Sequence, residues 1–95
     1  MLNTDAIRHD EGRKRFTVEE EGSEAFVEYA REGDVLVIVH TIVPKEMGGR
    51  GVAGRLVEAA LQHAREQGLK VRPDCSYAEA YLRKHPEHAG LLAPA

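Results

Sequence analysis

Apolar and polar positions change their repeat partway along the chain. From Arg15 to Glu20, Phe16 and Val18 alternate with polar neighbours, the two-residue repeat of a half-buried strand. Glu21-Gly22-Ser23 reads as a turn, and Glu24 to Arg31 resumes the alternation with Ala25, Val27 and Tyr29 on one face. Glu32-Gly33-Asp34 has hairpin length. Val35 to Val43 is β-rich and apolar on both faces, which predicts a central strand. A weaker strand is predicted over Ala6 to His9.

After Arg50 the repeat becomes helical. Ala53, Leu56, Val57, Ala60, Leu61 and Ala64 form one broad apolar stripe through Gln67, with Glu58, Gln62, Arg65 and Glu66 on the opposite face. Gly68 stops this helix. Leu69 to Arg72 suffices for a short strand, closed by Pro73. Ser76 is positioned to N-cap a second helix through Lys84, with Glu79 completing a capping box and Pro86 ending it. The order β-β-β-α-β-α predicts a mixed antiparallel and parallel α/β sheet with helices covering it. The strand–helix–strand unit implies a right-handed crossover.

With 95 residues, the chain has room for one domain, residues 1–95. A hydrophobic share of 42 % and a charged share of 31 % fit a folded domain rather than a disordered one. The longest apolar run, Val35 to Val39, is far short of the ~20 residues of a membrane span. Met1 to Asp5 lacks the basic and apolar regions of a signal peptide. The single cysteine, Cys75, excludes an internal disulfide and fits a reducing compartment. A cytoplasmic location is therefore expected. The net charge of −3 argues against a dedicated nucleic-acid binder. Glu19, Glu20, Glu21, Glu24 and Glu28 crowd the first third.

The segment from Val43 to Val57 carries the chemistry: a strand runs through Gly48-Gly49-Arg50-Gly51 into a helix. Unpaired N–H groups and the helix dipole make such a junction an anion site, with phosphate as its natural guest. Gly48-Gly49-Arg50-Gly51 also matches the Gly-x-x-Gly loop of an RNA-binding KH module, but there the loop joins two helices. His85-x-x-His88 is interrupted by Pro86 and lacks further ligands, so no metal is expected.

The junction resembles the pyrophosphate-binding motif of the Gcn5-related N-acetyltransferase superfamily, commonly written Arg/Gln-x-x-Gly-x-Gly/Ala. Gly48, Gly51 and Ala53 occupy the matching positions, Gly48 replacing the usual Arg or Gln. With His40-Thr41, Val43-Pro44 and Cys75-Ser76-Tyr77, the stretch from Arg15 to Pro86 resembles the compact single-domain branch of small plant and bacterial proteins. The resemblance implies a sheet of that superfamily's type without the helices that cover the substrate in larger members. It implies acetyl-CoA as co-substrate, held by Val43, Gly48, Gly49, Arg50, Gly51, Val52, Ala53, Gly54 and Arg55, largely through backbone amides, with Ser76 and Tyr81 from the second helix. It also marks Cys75 as an active-site residue.

The residues leave two routes open. Cys75 precedes a helix N-terminus, whose dipole lowers a thiol pKa, and His40 would serve as base or stabilising cation if the fold brings it close. A buried packing role suits a lone cysteine equally. Direct transfer instead needs an acid for the departing thiolate, for which Ser76, Tyr77 and Tyr81 are candidates. The expected function is N-acetylation of a small or side-chain amine by acetyl-CoA. The alternative is a CoA-binding module with little or no transferase activity. The acidic first third favours a cationic acceptor, no membrane or nucleic-acid partner is expected, and a monomer is the expected state.

Overall fold

In a computed structural model, residues 7–94 are described. Five strands lie in sequential order: β1 (Arg8–Asp10), β2 (Arg15–Glu20), β3 (Ser23–Glu32), β4 (Val35–Ile42) and β5 (Lys70–Pro73). β1 to β4 are antiparallel neighbours and β4 pairs in parallel with β5. The helices are α1 (Val52–Gln67) and α2 (Ser76–Lys84), with short 3-10 turns at Lys45–Met47 and Pro86–Leu91. The mixed α/β sheet is as the sequence predicts. Ala6, the start of the expected first strand, lies outside the described residues, and the strand runs from Arg8 to Asp10.

Alternation sorts the sheet into two faces. Phe16, Val18, Ala25, Val27, Tyr29, Leu36, Ile38 and Val71 join one core cluster with the buried residues of both helices. Both helices thus cover the same face. The other face carries Thr17, Phe26, Glu28, Ala30 and Val37, placed there by their pairing register.

Several expectations shift by a residue or two. Helix α1 begins at Val52, which is buried, whereas Ala53 is only half-buried. The left-handed Gly51 (φ 74°) sets this start, because its backbone cannot continue the helix toward Arg50. Strand β4 ends at Ile42 and is buried only from Leu36 to Ile38. The N-cap of α2 is Cys75, not Ser76: its extended backbone (φ −101°, ψ 139°) leaves the sulfur to accept the Ala78 N–H. Ser76 is already helical, and Glu79 meets Arg83 instead of closing a capping box. At the sheet edge, Leu92 bridges Val71, and the Ala93 N–H donates to the Val71 carbonyl at 2.8 Å. This covers part of an otherwise open strand.

Candidate active site

The glycine turn between β4 and α1 is tied down by side chains. Arg50 pairs with Glu20, and the Ser23 hydroxyl donates to Glu46, so the turn is anchored twice to the β2–β3 hairpin. The Ser23 bond also draws the Glu46 carboxyl below its ordinary pKa. Glu46 therefore has a structural task.

Gly51 caps α1 without a side chain, and Arg55 is the first residue whose N–H reaches back to it, at 3.1 Å. The N–H groups of Val52, Ala53 and Gly54 have no carbonyl one turn earlier. A Cβ built on Gly49 or Gly51 would meet nothing within 4 Å, and both have positive φ, 77° and 74°. The space above the turn is open, and the free donors and helix dipole suit a pyrophosphate.

Gly54 is small for a different reason. A Cβ there would lie 3.3 Å from the Tyr81 ring and 3.5 Å from the Tyr77 hydroxyl. The start of α2 thus packs against the first turn of α1. The Tyr77 phenol is pushed up in pKa by burial first and by Cys75 second, so it stays protonated and can donate.

Beyond the Ile38–Pro73 pair, β4 and β5 part. The Asp74 N–H donates to the Ile38 carbonyl at 2.9 Å, and register pairing with β5 stops there. The resulting cleft, about 370 Å³, is lined by Val39 to Ile42 and Asp74 to Tyr77. Val39 is a bulge: Tyr29 faces Ile38 and Glu28 faces His40, leaving one extra residue in β4. The bulge reverses the alternation. His40 would otherwise follow Leu36 and Ile38 onto the helix-covered face, but Thr41 takes that place, opposite Val27.

Consequently Thr41, not His40, approaches the thiol, with Oγ1 3.3 Å from Cys75 Sγ. His40 is exposed and lines the cleft from the other face. Cys75 is half-buried, and its sulfur also accepts the Ala78 N–H at 3.4 Å. Asp74 is paired with Arg72, Nε to Oδ1 at 3.1 Å, which offsets its unfavourable charge beside the thiol.

Tyr81 is committed elsewhere. Its hydroxyl donates to Glu58 Oε2 at 2.5 Å, and His88 Nε2 meets the same oxygen at 2.8 Å. Arg65 reaches His88 Nδ1 at 3.1 Å. A guanidinium only donates, so Nδ1 accepts and Nε2–H donates to Glu58. Burial pushes the Tyr81 phenol up, and the Glu58 carboxylate adds to the effect. Glu58, on the face opposite the apolar stripe, nevertheless joins α1 to α2, and His88 is buried. The sequence carries no local signal for this contact, because its members are brought together only by the packing of three segments.

A family model described as GCN5-related N-acetyl-transferase matches residues 15–91. The chain belongs to this family. Within it, the chain is similar to Protein NATD1 of Gallus gallus, 36 % identical over 83 residues that cover 84 % of this chain and 76 % of the relative. Protein NATD1 of Homo sapiens is also 36 % identical, with 84 % and 74 % covered. The fold is similar to the solution structure of a GCN5-like protein from Staphylococcus aureus, with a TM-score of 0.75 and 28 % identity, covering 99 % of this chain and 93 % of that one. These relatives come from vertebrates and from a bacterium.

Proposed function

We propose that the chain transfers an acetyl group from acetyl-CoA to a small or side-chain amine. The observation that carries this reading is the left-handed Gly51 cap, which aims the first free N–H groups of α1 into open space where β4 ends. Those amides hold the pyrophosphate, while the unpaired edge of β4 in the cleft accompanies the thioester arm. The family membership supports the same reading.

In the cleft, Cys75 is the candidate nucleophile. Its sulfur accepts the Ala78 N–H and lies 3.3 Å from the Thr41 hydroxyl oxygen, at the mouth of the cleft. Its attack on the acetyl carbonyl forms a new thioester as the coenzyme's C–S bond breaks, and the departing thiolate takes the Tyr77 proton. Attack by the acceptor amine then forms the amide and returns the Cys75 thiolate. His40, on the opposite face of the cleft, accepts the amine's proton and passes it to solvent, from which the Tyr77 phenolate regains its own. A second reading rests on the same contacts: the sulfur serves as helix cap, and the amine attacks the donor directly.

The test is a thermal melt with acetyl-CoA, using adenosine diphosphate and a short RNA as controls. Ligand at ~100 times its dissociation constant stabilises the fold by about 2.7 kcal/mol. For a domain this small the midpoint rises by about 10 to 20 °C. Such a rise with acetyl-CoA, and much less with the controls, supports the assignment. No shift at saturation returns the glycine turn to an architectural role. An amine screen then reads transfer, with cationic acceptors expected to lead.

A further inference from the structure

A second cavity, about 440 Å³, lies beside the middle of α1, away from the glycine turn. One wall is aromatic. The His9 ring stacks on Phe16 with centroids 4.2 Å apart and planes at 9°, and His63 meets His9 edge-on at 4.6 Å. His9 Nε2 lies 2.5 Å from the Tyr29 hydroxyl, and burial holds this ring below the ordinary histidine pKa. The His9–Phe16 stack is therefore uncharged at neutral pH.

Along the opposite rim, α1 presents Glu58, Gln62 and Glu66 at four-residue spacing. They share one face of the helix. The two carboxylates are separated along the axis by about 12 Å, at ~1.5 Å per residue. Glu58 accepts from Tyr81 and from His88, and Glu66 accepts from Gln62 at 3.2 Å. Among the described residues no lysine or arginine lines this cavity. Two separated negative charges thus flank a slot with an aromatic wall, and such a wall itself attracts cations.

We propose that this cavity binds a linear organic dication, an aliphatic chain with an ammonium group at each end. The ammonium groups sit at Glu58 and Glu66, and the methylene chain lies along the His9–Phe16 stack. An anionic or singly charged ligand of equal length lacks one or both anchors. Gln62 lies about 15 Å along α1 from Val52, so the site is separate from the glycine turn. The proposal does not depend on the chain being a transferase.

The test titrates the full chain with diaminooctane carrying its amines on the terminal carbons, in low salt near neutral pH. Ring resonances of His9, His63 and His40 report where it binds. Octylamine and octanoate are the controls, and Glu66→Gln is the variant, chosen because residue 66 is exposed. The diamine is expected to shift His9 and His63 saturably and leave His40 unmoved, with octylamine weaker and octanoate inert. Glu66→Gln is expected to weaken the diamine about two- to fivefold without changing the melt. Shifts confined to His40, equal binding of octanoate, or unchanged affinity in Glu66→Gln would each overturn the proposal.

Discussion

Thr41 Oγ1 lies 3.3 Å from Cys75 Sγ, across the parting ends of β4 and β5, and the same sulfur caps α2 through the Ala78 N–H. One atom thus serves both the fold and the proposed chemistry, and two substitutions separate them. Serine is a preferred helix cap, so Cys75→Ser is expected to keep the melting temperature. Cys75→Ala loses the cap and about 0.5–2 kcal/mol. If acetyl passes through sulfur, Cys75→Ser lowers transfer at least about tenfold, roughly 1.4 kcal/mol in barrier, with acetyl-CoA binding intact. Parental rates in Cys75→Ser would assign transfer to direct attack by the amine.

Gly51 offers a test of the anion cradle. Its φ of 74° strains any residue with a Cβ, by about 1–2 kcal/mol, and least for Asn and Asp. Gly51→Asn and Gly51→Asp are therefore expected to lower the free protein's stability to a similar, modest extent. They differ in charge. Asp puts a carboxylate where the pyrophosphate would sit and is expected to remove the acetyl-CoA shift in the melt. Asn is expected to reduce it. An undiminished shift in Gly51→Asp would sink the pyrophosphate assignment.

These two positions also mark how far the sequence can be read. Ala25, Val27 and Tyr29, or Leu56, Val57 and Ala60, are legible because one-sided burial imposes a fixed repeat on the chain. The glycine turn is legible because left-handed backbone restricts the residue type. The partner of Cys75 is not. Alternation from Leu36 and Ile38 leads to His40, and only the bulge at Val39 hands that face to Thr41. The helix cap at Cys75 rather than Ser76 is a one-residue offset, and both residue types carry an acceptor. The contact of Glu58 with His88 spans 30 positions and leaves no periodic trace.

That contact makes a prediction about acid stability. Burial pushes the Glu58 carboxyl up, but hydrogen bonds from Tyr81 and His88 outweigh it, and the net pKa falls below the ordinary 4.5. A carboxyl depressed in the fold stabilises it above the unfolded value, and this contribution disappears as pH falls through the folded one. The Glu58 side chain is 42 % exposed, so solvent screening keeps the effect modest. Denaturant midpoints of the parent should decline below about pH 4.5, and those of Glu58→Gln should decline less. Parallel curves for the two proteins would remove Glu58 from the acid limb.

His9 acts in a different pH window. Burial lowers its pKa from 6.5, His63 lowers it further, and Glu11 and Asp10 only partly counter the shift. The unfolded chain therefore binds this proton first as pH drops. Stability is expected to fall from about pH 6.5 downward, and this contribution levels off once His9 protonates within the fold. His9→Phe keeps a ring against Phe16 but cannot titrate, and it also loses the bond to Tyr29. Its stability should start lower at neutral pH, by about 0.5–1.5 kcal/mol for one lost hydrogen bond, and vary less between pH 6.5 and 5. Denaturant titrations of both proteins across that range decide the point: an equal slope would remove His9 from this pH window.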